Sequence, residues 1–92
     1  MREVACSVRV TGRVQGVAYR AWTRSQAVAL GLRGWVRNRG DGSVLALIAG
    51  PENAVDAMVM AMAEGPGAAR VTDVSREEAD PATVPTGFSI VT

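Results

Sequence analysis

The sequence contains no histidine and no lysine, and it contains a single cysteine. Without histidine, the chain lacks the usual general base at neutral pH and the commonest metal ligand. Because all ten basic residues are arginine, a Walker A phosphate loop and a Schiff-base lysine are both excluded. Cys6 alone cannot form an internal disulfide or a zinc site built from several thiolates. Several common kinds of catalysis are therefore excluded.

Long apolar runs are also absent, since no stretch reaches the roughly 18 apolar residues that a membrane-spanning helix needs. The first residues lack the pattern of a signal peptide. We therefore expect a cytoplasmic protein that makes no contact with membranes. The 92 residues, of which 48% are hydrophobic and 21% charged, suit one small globular domain over residues 1–92. We expect this domain to be a monomer.

The charged residues are distributed unevenly, although the formal net charge is only +1. Residues 1–40 contain eight arginines and one acid, whereas residues 41–92 contain two arginines and eight acids. An arginine-rich half favours an anionic ligand, either a phosphate compound or a nucleic acid. The alternative is that the two halves fold together and that their charges partly offset one another at the surface.

The spacing of apolar residues predicts five strands and two helices. Apolar residues alternate over 4–11, which is typical of a strand, and they repeat at helical spacing over 55–62,. The predicted elements are strands at 4–11, 32–38, 43–49, 70–77 and 88–91, helices at 19–30 and from Pro51 to about 64, a loop at 12–17, a turn at 39–42 and a loop at 79–86. This β-α-β-β-α-β order predicts an α+β, ferredoxin-like fold, with an antiparallel sheet and both helices on one face. That fold supports many functions and names none of them.

A glycine-containing segment at 12–20 joins the first strand to the first helix. The N-terminus of a helix leaves several backbone N–H groups unpaired, and glycine lets such a loop curl so that those groups converge on an anion. Arg20 follows at the start of the helix, where its planar guanidinium could hold two phosphate oxygens. The alternative is an ordinary strand-to-helix connection with a surface arginine. The residues of this segment that would surround such an anion are Gly12, Arg13, Val14, Gln15, Gly16, Val17, Ala18 and Tyr19.

Asn38 ends the second predicted strand, just before the tight turn. Its carboxamide can donate and accept hydrogen bonds together, which suits it to orient a water molecule. The amide is not basic, so it cannot act as a strong proton acceptor. Formation of the turn itself is the alternative role, because asparagine is common in turns.

These two segments together resemble the acylphosphatase family. The family pattern Gly-x-Val-Gln-Gly-Val-x-Phe/Tyr-Arg is met by Gly12, Val14, Gln15, Gly16, Val17, Tyr19 and Arg20. The pattern Gly-Leu-x-Gly-Trp-Val-Arg-Asn, followed by Asp-Gly, is met by Gly31, Leu32, Gly34, Trp35, Val36, Arg37, Asn38, Asp41 and Gly42. The similarity covers nearly the whole chain. The departures are Tyr19 in place of the commoner Phe and Leu45 where many relatives carry an acid.

The resemblance implies hydrolysis of an acyl phosphate to a carboxylate and inorganic phosphate, without a metal or a cofactor. Arg20 and the loop amides would hold the phosphate, and Asn38 would position the attacking water. Inorganic phosphate or sulfate would bind as product-like ligands. An acyl phosphate also suits a site without histidine, because its carboxylate leaving group has a conjugate-acid pKa of roughly 4 and needs no protonation.

Two other functions remain compatible with the sequence. The first is an RNA-binding module on the same fold, although such modules stack bases on strand aromatics, and aromatic residues are only 4% of this chain. We therefore expect no nucleic-acid partner. The second is a phosphate-binding domain without catalytic activity, which only a turnover assay separates from the enzyme.

Overall fold

The computed structural model describes residues 2–92, and its elements follow the β-α-β-β-α-β order with a short strand added at the end. The elements are β1 (Glu3–Arg13), α1 (Tyr19–Ala29), β2 (Arg33–Asn38), β3 (Val44–Pro51), α2 (Glu52–Glu64), β4 (Arg70–Ala79), a short 3-10 helix (Pro81–Thr83) and β5 (Phe88–Ile90). The predicted fold class is confirmed, because every predicted strand and helix is present.

The strands form one sheet in the order β4-β1-β3-β2-β5. The neighbours among the first four strands are antiparallel, as predicted. β5 instead pairs in parallel with β2, so the sheet becomes mixed at that edge. The sheet becomes mixed because β4 and β5, although consecutive strands, lie at its opposite edges. The segment between them crosses the face of the sheet that carries no helix, where Val84 packs against Ala5 and Ala49.

Both helices pack on the other face of the sheet and share one hydrophobic core. The predicted alternation in β1 is confirmed, since Cys6, Val8 and Val10 are buried in this core. The predicted stripe of α2 is confirmed as well, because its buried residues include Met58 and Met62. Burial of these side chains is the main stabilising contribution of a small domain. The packing of this core also holds the start of α1 and the end of β2 in place.

Several predicted boundaries differ from the structure by one or two residues, among them the ends of β1, β3 and β4. Gly12 and Arg13 continue β1 beyond a bulge and pair with Val71 and Arg70, so the loop begins two residues later than predicted. Gly12 has a φ of 123°, and a Cβ there would lie 2.1 Å from a backbone oxygen of β4. Only glycine therefore fits this crossing. Pro51 ends β3 as the N-cap of α2, rather than lying within the first turn of that helix.

Candidate active site

The two predicted catalytic residues line one cavity of about 220 Å³. Arg20 is the second residue of α1, and Asn38 is the last residue of β2. The loop between β1 and α1 forms the adjoining wall. The complete lining consists of Val14, Gly16, Ala18, Tyr19, Arg20, Ala21, Asn38 and Ile90. Arg20 and Asn38, which lie 18 positions apart in the sequence, therefore meet at one cavity.

The loop before α1 leaves its backbone N–H groups without acceptors. Gly16 has a φ of 74° and Ala18 a φ of 60°, and Ala18 is the only non-glycine residue with positive φ in the described part of the chain. Left-handed residues in a loop turn neighbouring N–H groups toward a common side, which forms a concave anion site. Within residues 2–92, no acceptor takes the N–H hydrogens of residues 15–19. These groups can therefore bind oxygens of a ligand.

Within residues 2–92, the side chains of Arg20 and Asn38 make no hydrogen bond and no ion pair. Among the described residues, the half-buried Arg20 guanidinium makes no ion pair and no hydrogen bond. The Oδ1 atom of Asn38 is buried and has no hydrogen-bond donor in the same residues. A buried oxygen without a donor costs about 1–3 kcal/mol, so such atoms in folded proteins usually have a water or ligand partner. A free cation and a free acceptor thus line the same cavity.

The side chain of Gln15 connects the loop to the β2–β3 turn. Its Nε2 atom donates to the carbonyl oxygens of Arg39 and Ser43, at 2.8 and 2.9 Å. The backbone N–H of Arg39 also donates to the Ser43 carbonyl, at 2.8 Å. The side chain of Gln15 is therefore directed to the turn, and only its backbone N–H is free for a ligand. This connection fixes the loop relative to the end of β2, where Asn38 lies.

The β2–β3 turn is held by its own side chains. Asp41 Oδ1 accepts hydrogen bonds from the backbone N–H and the hydroxyl of Ser43, at 3.0 and 2.6 Å, and Arg9 forms an ion pair with Asp41 Oδ2. The hydrogen bonds from Ser43, together with Arg9, hold the pKa of Asp41 well below its usual range,. The Ser43 carbonyl therefore has a fixed position when it accepts from Gln15.

Of the predicted substrate-binding residues, Val14, Gly16, Ala18 and Tyr19 line the cavity, whereas Gly12, Arg13, Gln15 and Val17 do not. The Tyr19 ring is in the core, its hydroxyl donates to the Met62 carbonyl at 2.6 Å, and burial raises its pKa. Gly12 and Arg13 belong to β1 and are not among the residues that line the cavity. Contacts of these residues with a substrate stay predictions. For Tyr19, the backbone N–H is the group in a suitable place.

The sequence did not indicate two residues of the cavity, Ala21 and Ile90. Ala21 follows Arg20 on the first turn of α1, and Ile90 comes from β5, far along the chain. The only signal for Ile90 was an apolar residue in a strand of three residues at the edge of the sheet. Its place beside Arg20 depends on the parallel pairing of β5 with β2, which the apolar pattern did not show.

The described residues also form a second cavity, which is separate from the first. This second cavity, of about 210 Å³, lies at the opposite end of β1, near the start of α2, and half of its lining residues are charged, Arg76 and Glu78 among them. Nowhere in residues 2–92 do three or more His, Cys, Asp or Glu side chains come together in a way that could hold a metal ion. In the same residues, no helix has the length and apolar character needed to cross a membrane.

The fold and the cavity together define a small ferredoxin-like α+β domain with a basic cavity at its first strand-to-helix loop. Comparison with known families gives the narrower assignment. The family model described as Acylphosphatase matches residues 6–90. The chain therefore belongs to the acylphosphatase family, which confirms the resemblance of the two motifs, and it is an acylphosphatase-type hydrolase.

Individual relatives support this assignment over nearly the full length of the chain. An acylphosphatase of Rhizobium meliloti is 58% identical over 86 residues, which is 94% of this chain and 90% of the relative. An acylphosphatase of Mesorhizobium japonicum is 53% identical over 90 residues, covering 98% and 96%. The crystal structure of acylphosphatase from Bacillus subtilis superimposes with a TM-score of 0.92 at 40% identity, covering 97% of this chain and 99% of that one.

Proposed function

We propose that the cavity between α1 and β2 hydrolyses acyl phosphates, with Arg20 and the loop amides holding the phosphate and Asn38 orienting the attacking water. The observation that supports this proposal is the pair of unpartnered groups in one cavity: the free guanidinium of Arg20 and the buried, unpaired Oδ1 of Asn38. The first suits an anion, and the second suits a small hydrogen-bond donor. A phosphate and a water molecule satisfy both.

The phosphate would bind at the start of α1. The free N–H groups of residues 15–19 carry partial positive charge, which the N-terminal end of the helix dipole reinforces. Arg20 adds a full charge that persists at any working pH. Because these donors are held in place before the substrate arrives, they stabilise the growing negative charge of the transition state without reorganising.

Asn38 would act on the nucleophile. A water that donates one hydrogen to Asn38 Oδ1 has its lone pairs free to attack phosphorus. The water contributes an oxygen to the new P–O bond, and the bond between phosphorus and the acyl oxygen breaks. The electron pair of that bond leaves with the carboxylate. One proton of the water goes to a phosphate oxygen, and the other stays on the oxygen that has attacked phosphorus. Asn38 need not accept the proton, which agrees with the low basicity of a carboxamide.

The acyl phosphate substrate matches the limited chemistry of these residues. Its leaving carboxylate has a conjugate-acid pKa of about 4, so it departs without a general acid. An alkyl phosphate would expel an alkoxide and is among the slowest compounds to hydrolyse. Positioning and charge stabilisation alone are then sufficient. We propose that no metal or cofactor takes part.

Two substitutions test these roles with benzoyl phosphate as the substrate and EDTA present. We expect Arg20→Ala to lower kcat/KM by at least 10²–10³-fold, roughly the effect of losing one positioned donor, and to weaken inhibition by inorganic phosphate. Asn38→Ala should lower kcat while leaving phosphate inhibition nearly intact. Arg70→Ala, which removes an exposed arginine on β4, and Asn53→Ala, which removes an exposed asparagine on α2, serve as controls. Normal turnover of the Arg20→Ala protein would refute the assignment.

The proposal extends to the state of the protein in the cell. We propose that the chain acts as a single domain and as a monomer in the cytoplasm, with small acyl phosphates as its partners and without nucleic acid. Light scattering coupled to gel filtration would check the monomer. Titration of a random RNA oligomer at low and high salt would check the last point, because electrostatic binding would weaken steeply with salt.

A further inference from the structure

The side chain of Arg24 connects α1 to the edge of the sheet. Its Nε atom donates to the backbone carbonyl of Phe88, in β5, at 3.1 Å. Within residues 2–92, this is the only side-chain hydrogen bond between α1 and the sheet, and the helix otherwise contacts the strands through the shared hydrophobic core. Apolar burial has no preferred direction, whereas a hydrogen bond weakens steeply as its angle changes. The bond of Arg24 therefore restricts how α1 can slide along the sheet.

The carbonyl that accepts this bond belongs to the strand next to β2. Phe88 pairs with Gly34 of β2, and its side chain is buried in the core. The same pair of strands is closed further on by the N–H of Val91, which donates to the carbonyl of Val36 at 2.9 Å. Since β5 is paired only with β2, its backbone follows that strand, which ends at Asn38.

On the helix, Arg24 lies about one turn after Arg20. The two residues are four positions apart in α1, so they lie on the same helix face and their backbones move together. The free N–H groups of residues 15–19 belong to the start of the same helix and to the loop before it. The groups assigned to the phosphate therefore share one rigid part of the fold with Arg24. Asn38, assigned to the water, shares the other part with Phe88.

We infer that Arg24 is a positioning residue for the hydrolysis: its hydrogen bond to the Phe88 carbonyl sets the distance between the phosphate at the start of α1 and the water at Asn38. The inference rests on the proposed function of the cavity. A misplacement of about 1 Å between reacting groups can lower a rate by about 10²-fold. Phosphate affinity depends on groups that all lie on the helix side. Loss of the bond should therefore lower kcat much more than it weakens phosphate binding.

Three substitutions of Arg24 separate its hydrogen bond from its charge. Glutamine carries a nitrogen donor where arginine has Nε but no charge, methionine has a similar length and no donor, and lysine keeps the charge with a methylene group at that place. We expect Arg24→Met and Arg24→Lys to lower kcat for benzoyl phosphate about 10-fold or more, with the Kd for inorganic phosphate within about threefold of the wild-type value. Arg24→Gln should keep kcat within about threefold. Steady-state kinetics and isothermal titration measure these quantities.

Arg76→Met is the matched control, because Arg76 of β4 forms an ion pair with Asp56 of α2 at 2.9 Å and so connects the other helix to the sheet. Neither residue lines the cavity that contains Arg20, and kcat should equal that of the wild-type protein. Retained kcat in Arg24→Lys with a loss in Arg24→Gln would show that the charge acts and would overturn the inference. Equal losses of kcat and of phosphate affinity in Arg24→Met would overturn it as well.

Amide hydrogen exchange tests the connection without catalysis. The N–H of Val91, which closes β5 onto β2, should exchange about threefold or more faster in Arg24→Met than in the wild-type protein, because a short edge strand opens locally. In Arg24→Gln its rate should be unchanged. Normal kcat in Arg24→Met would refute the positioning role and leave the proposed function intact. Absence of turnover by the wild-type protein, with the expected exchange rates, would refute the proposed function and leave the connection of α1 to β5 by Arg24.

Discussion

The side-chain amide of Gln15 donates to the backbone carbonyl of Ser43 across 2.9 Å, and so joins two parts of the candidate site. One part is the loop whose free N–H groups suit a phosphate. The other is the turn that follows Asn38. The geometry within the loop depends on its own backbone, in particular on the left-handed residues. In the proposed mechanism, however, the distance between the phosphate and the water depends on the position of the loop relative to the turn. We therefore propose that Gln15 is a positioning residue.

Replacing Gln15 should separate catalysis from binding. Gln15→Met keeps the approximate size of the side chain and removes both donated hydrogen bonds. We expect kcat to fall about 10- to 100-fold, because a small misplacement of reacting groups has a large effect on rate. The Kd for inorganic phosphate should change by less than about threefold, since the loop amides remain.

Gln26→Met provides the control for this substitution, since Gln26 lies on α1 and is not among the residues that line the cavity. Its kcat should equal that of the wild-type protein. Steady-state kinetics and isothermal titration with phosphate measure the two quantities. Equal losses of kcat and of phosphate affinity in Gln15→Met would show that the loop itself collapses, and would refute a pure positioning role.

The fold was largely predictable because its elements have clear local signals. The alternation in β1, the helical stripe of α2 and the glycine-rich turn after β2 each reflect burial or backbone geometry that a short segment determines by itself. The ends of elements were less predictable. Gly12 resembles a loop residue in the sequence, yet it continues β1 because β4 approaches closely enough to exclude any side chain there. Such a contact comes from tertiary structure.

The residues of the candidate site could be predicted only where they belong to the two sequence motifs. Arg20 and Asn38 were named from the sequence, and the structure places both at one cavity. The direction of each side chain was not predictable. Tyr19 follows the loop in sequence, but its ring turns into the core because α1 places it on the buried face. Ile90 reaches the cavity only because β5 crosses to the far edge of the sheet, which no local pattern encodes.

Ala18 should tolerate glycine better than a β-branched residue. Its φ of 60° is accessible to glycine, costs about 1 kcal/mol for alanine, and is a strong outlier for valine. We expect Ala18→Val to lower the free energy of unfolding by about 1–2 kcal/mol and to weaken phosphate binding, because relief of the strain would rotate the loop amides. Ala18→Gly should keep the stability within about 1 kcal/mol of the wild-type value and retain phosphate binding. Urea denaturation and phosphate titration measure both effects. Equal behaviour of the two variants would contradict the left-handed geometry.

Removal of the Tyr19 hydroxyl should affect stability and not catalysis. In Tyr19→Phe the Met62 carbonyl loses its 2.6 Å hydrogen bond in the core, which costs about 1–3 kcal/mol when the acceptor stays buried. The values of kcat and KM at 25 °C should stay within about twofold of the wild-type values, because the backbone N–H is unchanged. Thermal denaturation and steady-state kinetics provide the comparison. A large loss of activity with unchanged stability would show that the hydroxyl reaches the substrate after all.

Asp41 should make the stability of the protein depend on pH in the acid range. Its pKa is lowered in the folded state by hydrogen bonds from Ser43 and by Arg9, so the unfolded chain binds the proton more readily. The stabilisation is therefore complete above the unfolded pKa of about 4 and is lost as the pH falls toward the lower folded pKa. We expect Asp41→Asn to be less stable than the wild-type protein at pH 7 and the difference to shrink at about pH 3.

Urea unfolding at several pH values tests this expectation for Asp41. Asp73→Asn is the control, since Asp73 is an exposed carboxylate on β4 that forms no ion pair within residues 2–92. Removing it should change the stability at pH 7 much less than Asp41→Asn does. The turn held by Asp41 also positions the Ser43 carbonyl that Gln15 contacts, so Asp41→Asn should lower kcat at pH 7 in the same sense as Gln15→Met, by a smaller factor. A constant stability difference between wild type and Asp41→Asn from pH 7 down to about pH 3 would contradict the folded-state pKa shift.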